Sequence, residues 1–297
     1  MNQTATQCGY VAIIGRPNVG KSTLLNRILG KKISITSPKP QTTRNQILGI
    51  KTQDHIQTIY IDTPGVHESE ERAMNRYLNR LATSVIVDAD VVVFMIEAMQ
   101  WHKEDDMVLD KLKQTKSPVI LVINKVDTIK DKSQLLLFID KIKTKMEFAA
   151  IVPLSARQTD DVVALEKLIA NYLPEGPQLF PGDEITDKSV RFHVAELIRE
   201  KLIQATEQEV PYSTVVEIED YKETDKLDEI SAIIWVEREG QKPIVIGKNG
   251  ERLKRIGTLA RKDIEKYLGR KVFLRLWVKV KSGWTDDERA LRSLGYE

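Results

Sequence analysis

The chain has 297 residues, 41% of them hydrophobic and 30% charged, enough for two domains with their own cores and against long disorder. Its one cysteine, Cys8, excludes a disulfide framework and a cysteine-built zinc site and fits a reducing compartment; the four histidines lack ligand spacing. A net charge of +2 points to no partner by itself.

Met1 to Gly9 is polar and lacks the basic start and apolar run of a secretory signal. Val11–Ile14 reads as a short buried strand, and Ser22–Leu29 follows with apolar residues at helical spacing. Between them lies GRPNVGKS, Gly15 to Ser22, which fits the phosphate-cradling template G-x-x-x-x-G-K-[ST] in the strand–loop–helix context that the template requires. Gly15 and Gly20 let the backbone turn so that successive N–H groups face phosphate oxygens. Lys21 is placed to reach the terminal phosphates and Ser22 to ligate Mg²⁺, with Val19 and Thr23 completing the cradle. The loop alone does not separate ATP from GTP.

Lys31 to Gln46 is polar and holds Gln41-Thr42-Thr43-Arg44. It sits where P-loop nucleotide switches carry a mobile loop, and its few apolar residues suit a segment that orders only around the γ-phosphate and Mg²⁺. Thr43 is the first choice for the switch threonine on the metal and Thr42 the second. Ile56–Ile61 reads as a strand ending in Asp62-Thr63-Pro64-Gly65, where Asp62 can hold Mg²⁺ through water and the Gly65 N–H can meet a γ-phosphate.

The most apolar window, Val85 to Met99, is broken by Asp88, Asp90 and Glu97 and falls short of the roughly 20 residues of a membrane helix. It reads as a helix end, a turn and the strand Val91–Ile96. Val119–Ile123 is a further strand that runs into Asn124-Lys125-Val126-Asp127. The Asp127 carboxylate can accept from both the ring N–H and the exocyclic amine of guanine, whereas adenine would leave it unpaired. Asn124 would tie this loop to the phosphate loop, and the Lys125 stem would lie over the purine. After Ile151–Leu154 come Ser155 and Ala156, followed by Arg157, whose backbone N–H groups can contact the guanine carbonyl. The phosphate loop, Asp62–Gly65, Asn124–Asp127 and Ser155–Arg157 all follow the carboxyl ends of strands, where α/β sheets bind ligands.

GRPNVGKS, QTTR, DTPG, NKVD and SAR resemble the Era branch of bacterial GTPases, over roughly residues 6–175. The resemblance implies an α/β P-loop GTPase domain with a doubly wound, mostly parallel sheet, binding GTP and GDP with Mg²⁺ at Ser22, Thr43 and Asp62. Lys21, Thr43 and Asn18 are the catalytic groups it implies. Val66 stands where Ras-type GTPases place a water-orienting glutamine, so intrinsic hydrolysis is expected to be slow. Asn18 matches an asparagine that helps to hold K⁺ in relatives with PNxGKS, and it fits a simple turn residue equally well.

Asn171 to Gly182 contains three prolines and two glycines, so the linker is placed at 176–186, between a domain over 1–175 and one over 187–297. Beyond it the spacing predicts a helix over 187–208, with Val190, Val194, Leu197, Ile198 and Leu202 on one face. Strands follow at Ser213–Glu219 and Ile230–Glu237, then Ile246-Gly247-Lys248-Asn249-Gly250 between two further helices, an α-β-β-α-α-β order once the last strand is added. The last strand, Lys271–Lys281, puts Val272, Leu274, Leu276, Val278 and Val280 on one face and Phe273, Arg275, Trp277 and Lys279 on the other.

This order resembles the α+β type II KH domain, whose G-x-x-G loop clamps about four nucleotides of single-stranded RNA. From Glu239 to Lys281 there are 13 Lys and Arg against 4 Asp and Glu, the electrostatic footprint of nucleic-acid binding. Gly247, Lys248, Asn249, Gly250, Arg252, Lys254 and Arg255 are the expected RNA contacts. The joint resemblance implies a GTP-hydrolysing switch that binds 16S ribosomal RNA near its 3′ end, in assembly and maturation of the 30S subunit. It further implies a cytoplasmic monomer, with peripheral association at the inner membrane as a family trait. No function is read for the tail from Ser282 to Glu297, beyond an expected packing on the second domain through Trp284, Leu291, Leu294 and Tyr296.

Overall fold

The computed structural model describes residues 6–39, 41–66, 73–206 and 210–284, and among them the chain forms two compact units. The first takes in 6–34 and 43–66 and runs from Asn75 to Asp187; the second holds Ile35–Thr42, residues 73 and 74, and the described chain from Lys188 on. Leu291, Leu294 and Tyr296 lie outside the described residues, whereas Trp284 is fully buried.

The first unit is a six-stranded sheet in the order β2-β3-β1-β4-β5-β6. Its strands are β1 (Gln7–Ile14), β2 (Ile47–Gln53), β3 (Ile56–Asp62), β4 (Val91–Glu97), β5 (Val119–Asn124) and β6 (Ala150–Pro153). The central strands β4 and β5 are near-continuous apolar runs because helices cover both faces of a parallel sheet. Every pairing is parallel except β2 with β3. The helices are α1 (Lys21–Leu29), α2 (Ala73–Asp88), α3 (Lys103–Leu112), α4 (Lys132–Ile142) and α5 (Thr159–Ala170). From β1 the chain goes to one side for β3 and to the other for β4, the arrangement that opens a ligand crevice at the carboxyl ends.

Strand β2 has no counterpart among the sequence expectations, and the segment read as a linker explains how its edge is protected. Gln57 is fully buried on β3; its Oε1 accepts from Leu179 N at 2.8 Å and Phe180 N at 2.9 Å, and its Nε2 donates to Phe180 O at 2.8 Å. Ile50 N donates to Ile185 O at 2.8 Å, Gly49 bridges Thr186, and Phe180 packs on Cys8, Ile50 and Ile59. Residues 179–187 therefore cover an otherwise open edge strand rather than swinging free.

The second unit is a three-stranded sheet, β7-β8-β9, backed by two long helices. Its elements are α6 (Val190–Ala205), β7 (Thr214–Glu223), β8 (Asp228–Val236), α7 (Gln241–Ile246), α8 (Glu251–Leu268) and β9 (Val272–Val280). Strand β9 runs parallel to β8, and the core joins Val194, Leu197, Ile198 and Leu202 of α6 to Ile256, Ala260 and Ile264 of α8. Val190 is 45% exposed and not on the buried face as expected: it opens α6 just after Ser189, whose hydroxyl caps Phe192 N. Among the described residues no helix is long and apolar enough to cross a membrane.

Candidate nucleotide site and RNA-binding groove

The phosphate loop turns on glycines that have no room for a side chain. A Cβ on Gly20 would lie 2.3 Å from the Asn124 amide nitrogen, and φ there is +109°. Lys21 is buried and donates to the carbonyls of Gly15 and Arg16, at 2.9 Å each, so its ammonium closes the loop on itself. Burial, and secondarily Arg16, pulls its pKa down to about 8 against the opposing pull of Asp62.

Three oxygen-bearing side chains meet at the start of α1. Ser22 Oγ lies 2.9 Å from Thr43 Oγ1 and donates to Asp62 Oδ2 at 2.7 Å. Ser34 Oγ donates to the same oxygen at 2.8 Å. Asp62 is fully buried; burial pushes its pKa up, while the two hydroxyls and Lys21 hold it down. Its second oxygen, Oδ1, is buried without a hydrogen bond, a costly state that a divalent cation would relieve. The donor set therefore fits Mg²⁺. Ser34 was not among the sequence candidates, since nothing in its spacing marks it.

Thr42 stands apart from this cluster: its hydroxyl donates to Lys39 O at 2.6 Å, and its carbonyl accepts from Arg199 within the second unit. The polar segment around it is held more firmly than its composition suggests. Ile33 and Ile35 are buried, and Asn26 binds Ile33 N, Ser34 N and Ser34 O at 2.7–3.0 Å. Thr36 N donates to Glu200 Oε1 at 3.0 Å and Lys39 Nζ to Ile203 O at 2.7 Å, both on α6 of the same unit.

Asn124 joins the loops. Its amide donates to Val19 O at 2.7 Å and its carbonyl accepts from Ala156 N at 2.9 Å, fixing the phosphate loop against Ser155–Ala156. Ser155 N in turn donates to Asp161 Oδ2 at 2.8 Å. Lys125 has a positive φ of 66°, and its ammonium sits 2.7 Å from Glu97, which also pairs with Arg16 at 3.3 Å. Glu97 was invisible to motif reading because it acts through partners far along the chain, and Asp161, six residues after Ser155, belongs to no motif that the sequence reading used. Asp127 is exposed in a short turn after Lys125, Thr23 lies in the first turn of α1, and Gly65 packs so closely that a Cβ would lie 2.6 Å from Pro17 N. Asn18 is exposed with φ 65°, a left-handed conformation that asparagine tolerates and that suits a turn.

In the second unit Gly247 has φ 75°, and its Cβ would lie 2.7 Å from that of Arg252, so only glycine allows the chain to fold back there. Asn249 follows with φ 52°, and Gly250 caps α8. Lys248, Asn249, Arg252, Lys254 and Arg255 are exposed around this turn. Between α8 and the edge strand β9 lies a cavity of about 520 Å³, lined by Gly250, Leu253, Lys254, Gly257, Leu274 and Leu276 among others. A phosphate-approachable turn, a helix N-terminus and an apolar groove beside cations form a place for a nucleic-acid strand.

Comparison with known proteins agrees with both halves. Residues 10–125 match the model of the 50S ribosome-binding GTPase family, and residues 209–285 match that of the KH domain. The chain is 56% identical to GTPase Era of Coxiella burnetii over 292 residues, covering 98% of this chain and 99% of that one. It is 56% identical to GTPase Era of Pseudomonas fluorescens over 295 residues, covering 99% and 98%. A crystal structure of Era in complex with MgGDPNP and nucleotides 1506–1542 of 16S ribosomal RNA superposes with a TM-score of 0.93 at 44% identity, covering 98% of this chain and 99% of that one. With a P-loop GTPase domain followed by a KH domain and more than half its residues shared along the full length, the chain belongs to the Era family of GTPases.

Proposed function

We propose that this protein is a GTP-hydrolysing switch that binds single-stranded 16S ribosomal RNA near its 3′ end and acts in assembly and maturation of the 30S subunit. The observation that carries the switch reading is the meeting of Ser22, Thr43 and Asp62 oxygens beside Lys21. The loop from Gly15 to Thr23, with Asn18 and Val19, would bind the phosphates through its N–H groups, and Lys21 would exchange its two carbonyl partners for phosphate oxygens. Ser22, Thr43 and Asp62 would hold Mg²⁺, which neutralises charge on the transferred phosphoryl group. Gly65 would offer its N–H to the γ-phosphate, while Asp127, Lys125 and the Ser155–Ala156 backbone would enclose guanine.

Support for the RNA reading comes from the excess of cations around Gly247–Gly250 and from the Era relative that was crystallised with 16S ribosomal RNA nucleotides. The test of the enzymatic half is phosphate release with GTP and no acceptor substrate, followed over many turnovers. Release from GTP and not ATP is expected, and release from neither would overturn it. Crosslinking in cells followed by sequencing of the bound RNA tests the other half; reads away from the 3′ end of 16S RNA would refute that target.

Potassium is the finer point. Val66 is buried and apolar, so it cannot orient the attacking water, and a K⁺ held by Asn18 would add positive charge at the phosphates. Turnover is then expected to run several-fold faster in KCl than in NaCl at matched ionic strength, with the difference lost in Asn18→Ala. Equal rates in both salts for the unaltered protein would leave Asn18 as a turn residue, in keeping with its backbone angle.

A further inference from the structure

Among the described residues strand β9 is an edge strand of the second sheet, and its two faces have opposite fates. Val272 and Val278 are buried towards α6 and α8, whereas Phe273, Arg275, Trp277 and Lys279 point away from the helices and are all exposed. Two of these are large rings, 47% and 55% exposed. They alternate with the two cations along one line: the Arg275 guanidinium lies 4.8 Å from the Phe273 ring centroid, and Lys279 Nζ lies 5.9 Å from that of Trp235 on β8. Alternate residues of a strand stand about 6.6–6.8 Å apart, within reach of successive nucleotides of an extended strand. Folding gains nothing from leaving Trp277 in water, and aromatic faces between cations are what sequence-tolerant single-strand binding uses.

From this we infer that the outward face of β9 is a second single-stranded RNA site, on which nucleotides leaving the α8–β9 groove stack against Trp277 and Phe273. The inference rests on the RNA reading above. Continuity supports it, because Phe273 lines the groove and also opens the outward row. Charge fixes the path. The four outward residues of β9 include two cations and no acid, while β7 and β8 present Glu217, Glu219 and Glu229 with the single cation Lys222 beside Glu229, so phosphate is better received along β9. Glu217 is engaged by the Trp235 indole N–H at 2.6 Å, and Glu219 lies 3.6 Å from Lys279. Lys279 therefore shares its charge with Glu219, and Arg275, stacked on Phe273, is the cation placed beside the path of a strand.

The test compares two RNAs, nucleotides 1506–1542 of 16S ribosomal RNA and a six-nucleotide piece sized for the groove alone, on the full chain and on Trp277→Ala. Trp277 is exposed, so the variant should fold, and circular dichroism checks that it does. Loss of one stacked base is expected to weaken the long RNA about tenfold and the hexamer by less than twofold. Trp277→Phe should restore most of the affinity, and Arg275→Ala should lower the salt slope for the long RNA only. Unchanged affinity for the long RNA in Trp277→Ala would overturn the inference, as would equal losses for both RNAs. Weakened binding to 30S particles with intact binding to naked RNA would also overturn it, in favour of a protein on this face. If the unaltered chain binds neither RNA, the underlying RNA reading fails; if it binds both and only the Trp277 arm is silent, the second site alone fails.

Discussion

Replacing Asp127 with Asn is expected to weaken GTP binding by about 100-fold and to create affinity for xanthosine triphosphate. The carboxylate would accept two hydrogen bonds from the guanine edge, and charge-assisted bonds of this kind are worth about 1.5–3 kcal/mol each. An amide offers one acceptor and one donor, so it meets guanine with a mismatched N–H but matches the xanthine carbonyl. The frame around the substitution should hold. Asp127 is exposed in a short turn, and the loop is fixed by Asn124 through Val19 O and Ala156 N and by Lys125 through Glu97. The measurement is a pair of titrations with GTP and xanthosine triphosphate on both proteins. Equal GTP affinity in the two would remove Asp127 from the base site.

The largest expected effect on RNA comes from Lys248→Asp with Asn249→Asp. Both side chains are exposed on the turn that precedes α8, where a phosphate backbone would approach. The pair replaces one positive charge and one neutral amide with two negative charges, and a loss on the order of 2–4 kcal/mol in RNA affinity is expected. Backbone strain should not confuse the result. Asn249 has φ 52°, a conformation that aspartate shares with asparagine, and Gly247 and Gly250 are kept. GTP affinity should be nearly unchanged, because the nucleotide groups lie in the other unit. Titration at several salt concentrations should also give a log–log slope shallower by about 0.7, one phosphate contact to single-stranded RNA. A folded variant that binds RNA as tightly as the unaltered protein would show that this turn does not carry the interaction.

Much of the candidate site was legible because its chemistry is local. The phosphate loop needs glycines and a Lys-Ser pair within eight residues, and base recognition needs Asn-Lys-x-Asp straight after a strand, so spacing alone locates both. The same holds for Gly247–Gly250, where consecutive residues set the turn, and for the alternating faces of β9, which the two-residue period of a strand dictates. Thr43 and Thr42 are neighbours of equal composition, and only tertiary structure separates them: one meets Ser22, and the other turns its hydroxyl to Lys39.

What the sequence by itself determined, then, is the phosphate loop, the turns at Asn124–Asp127 and Gly247–Gly250, the sidedness of β9 and the order of the two modules. Tertiary structure decided which distant groups support them. Ser34 joins Asp62 across 28 residues, Glu97 reaches both Arg16 and Lys125, and Asn124 meets Val19 across 105. Strand β2 and the chain laid over its edge belong to the same class, since Gln57 finds Phe180 across 123 residues. A composition rich in proline and glycine says that a segment is extended, but not against what it will lie. Such pairings are selected by burial and by the cost of leaving polar atoms unmatched once the chain has collapsed, and neither quantity is defined until both partners are in place.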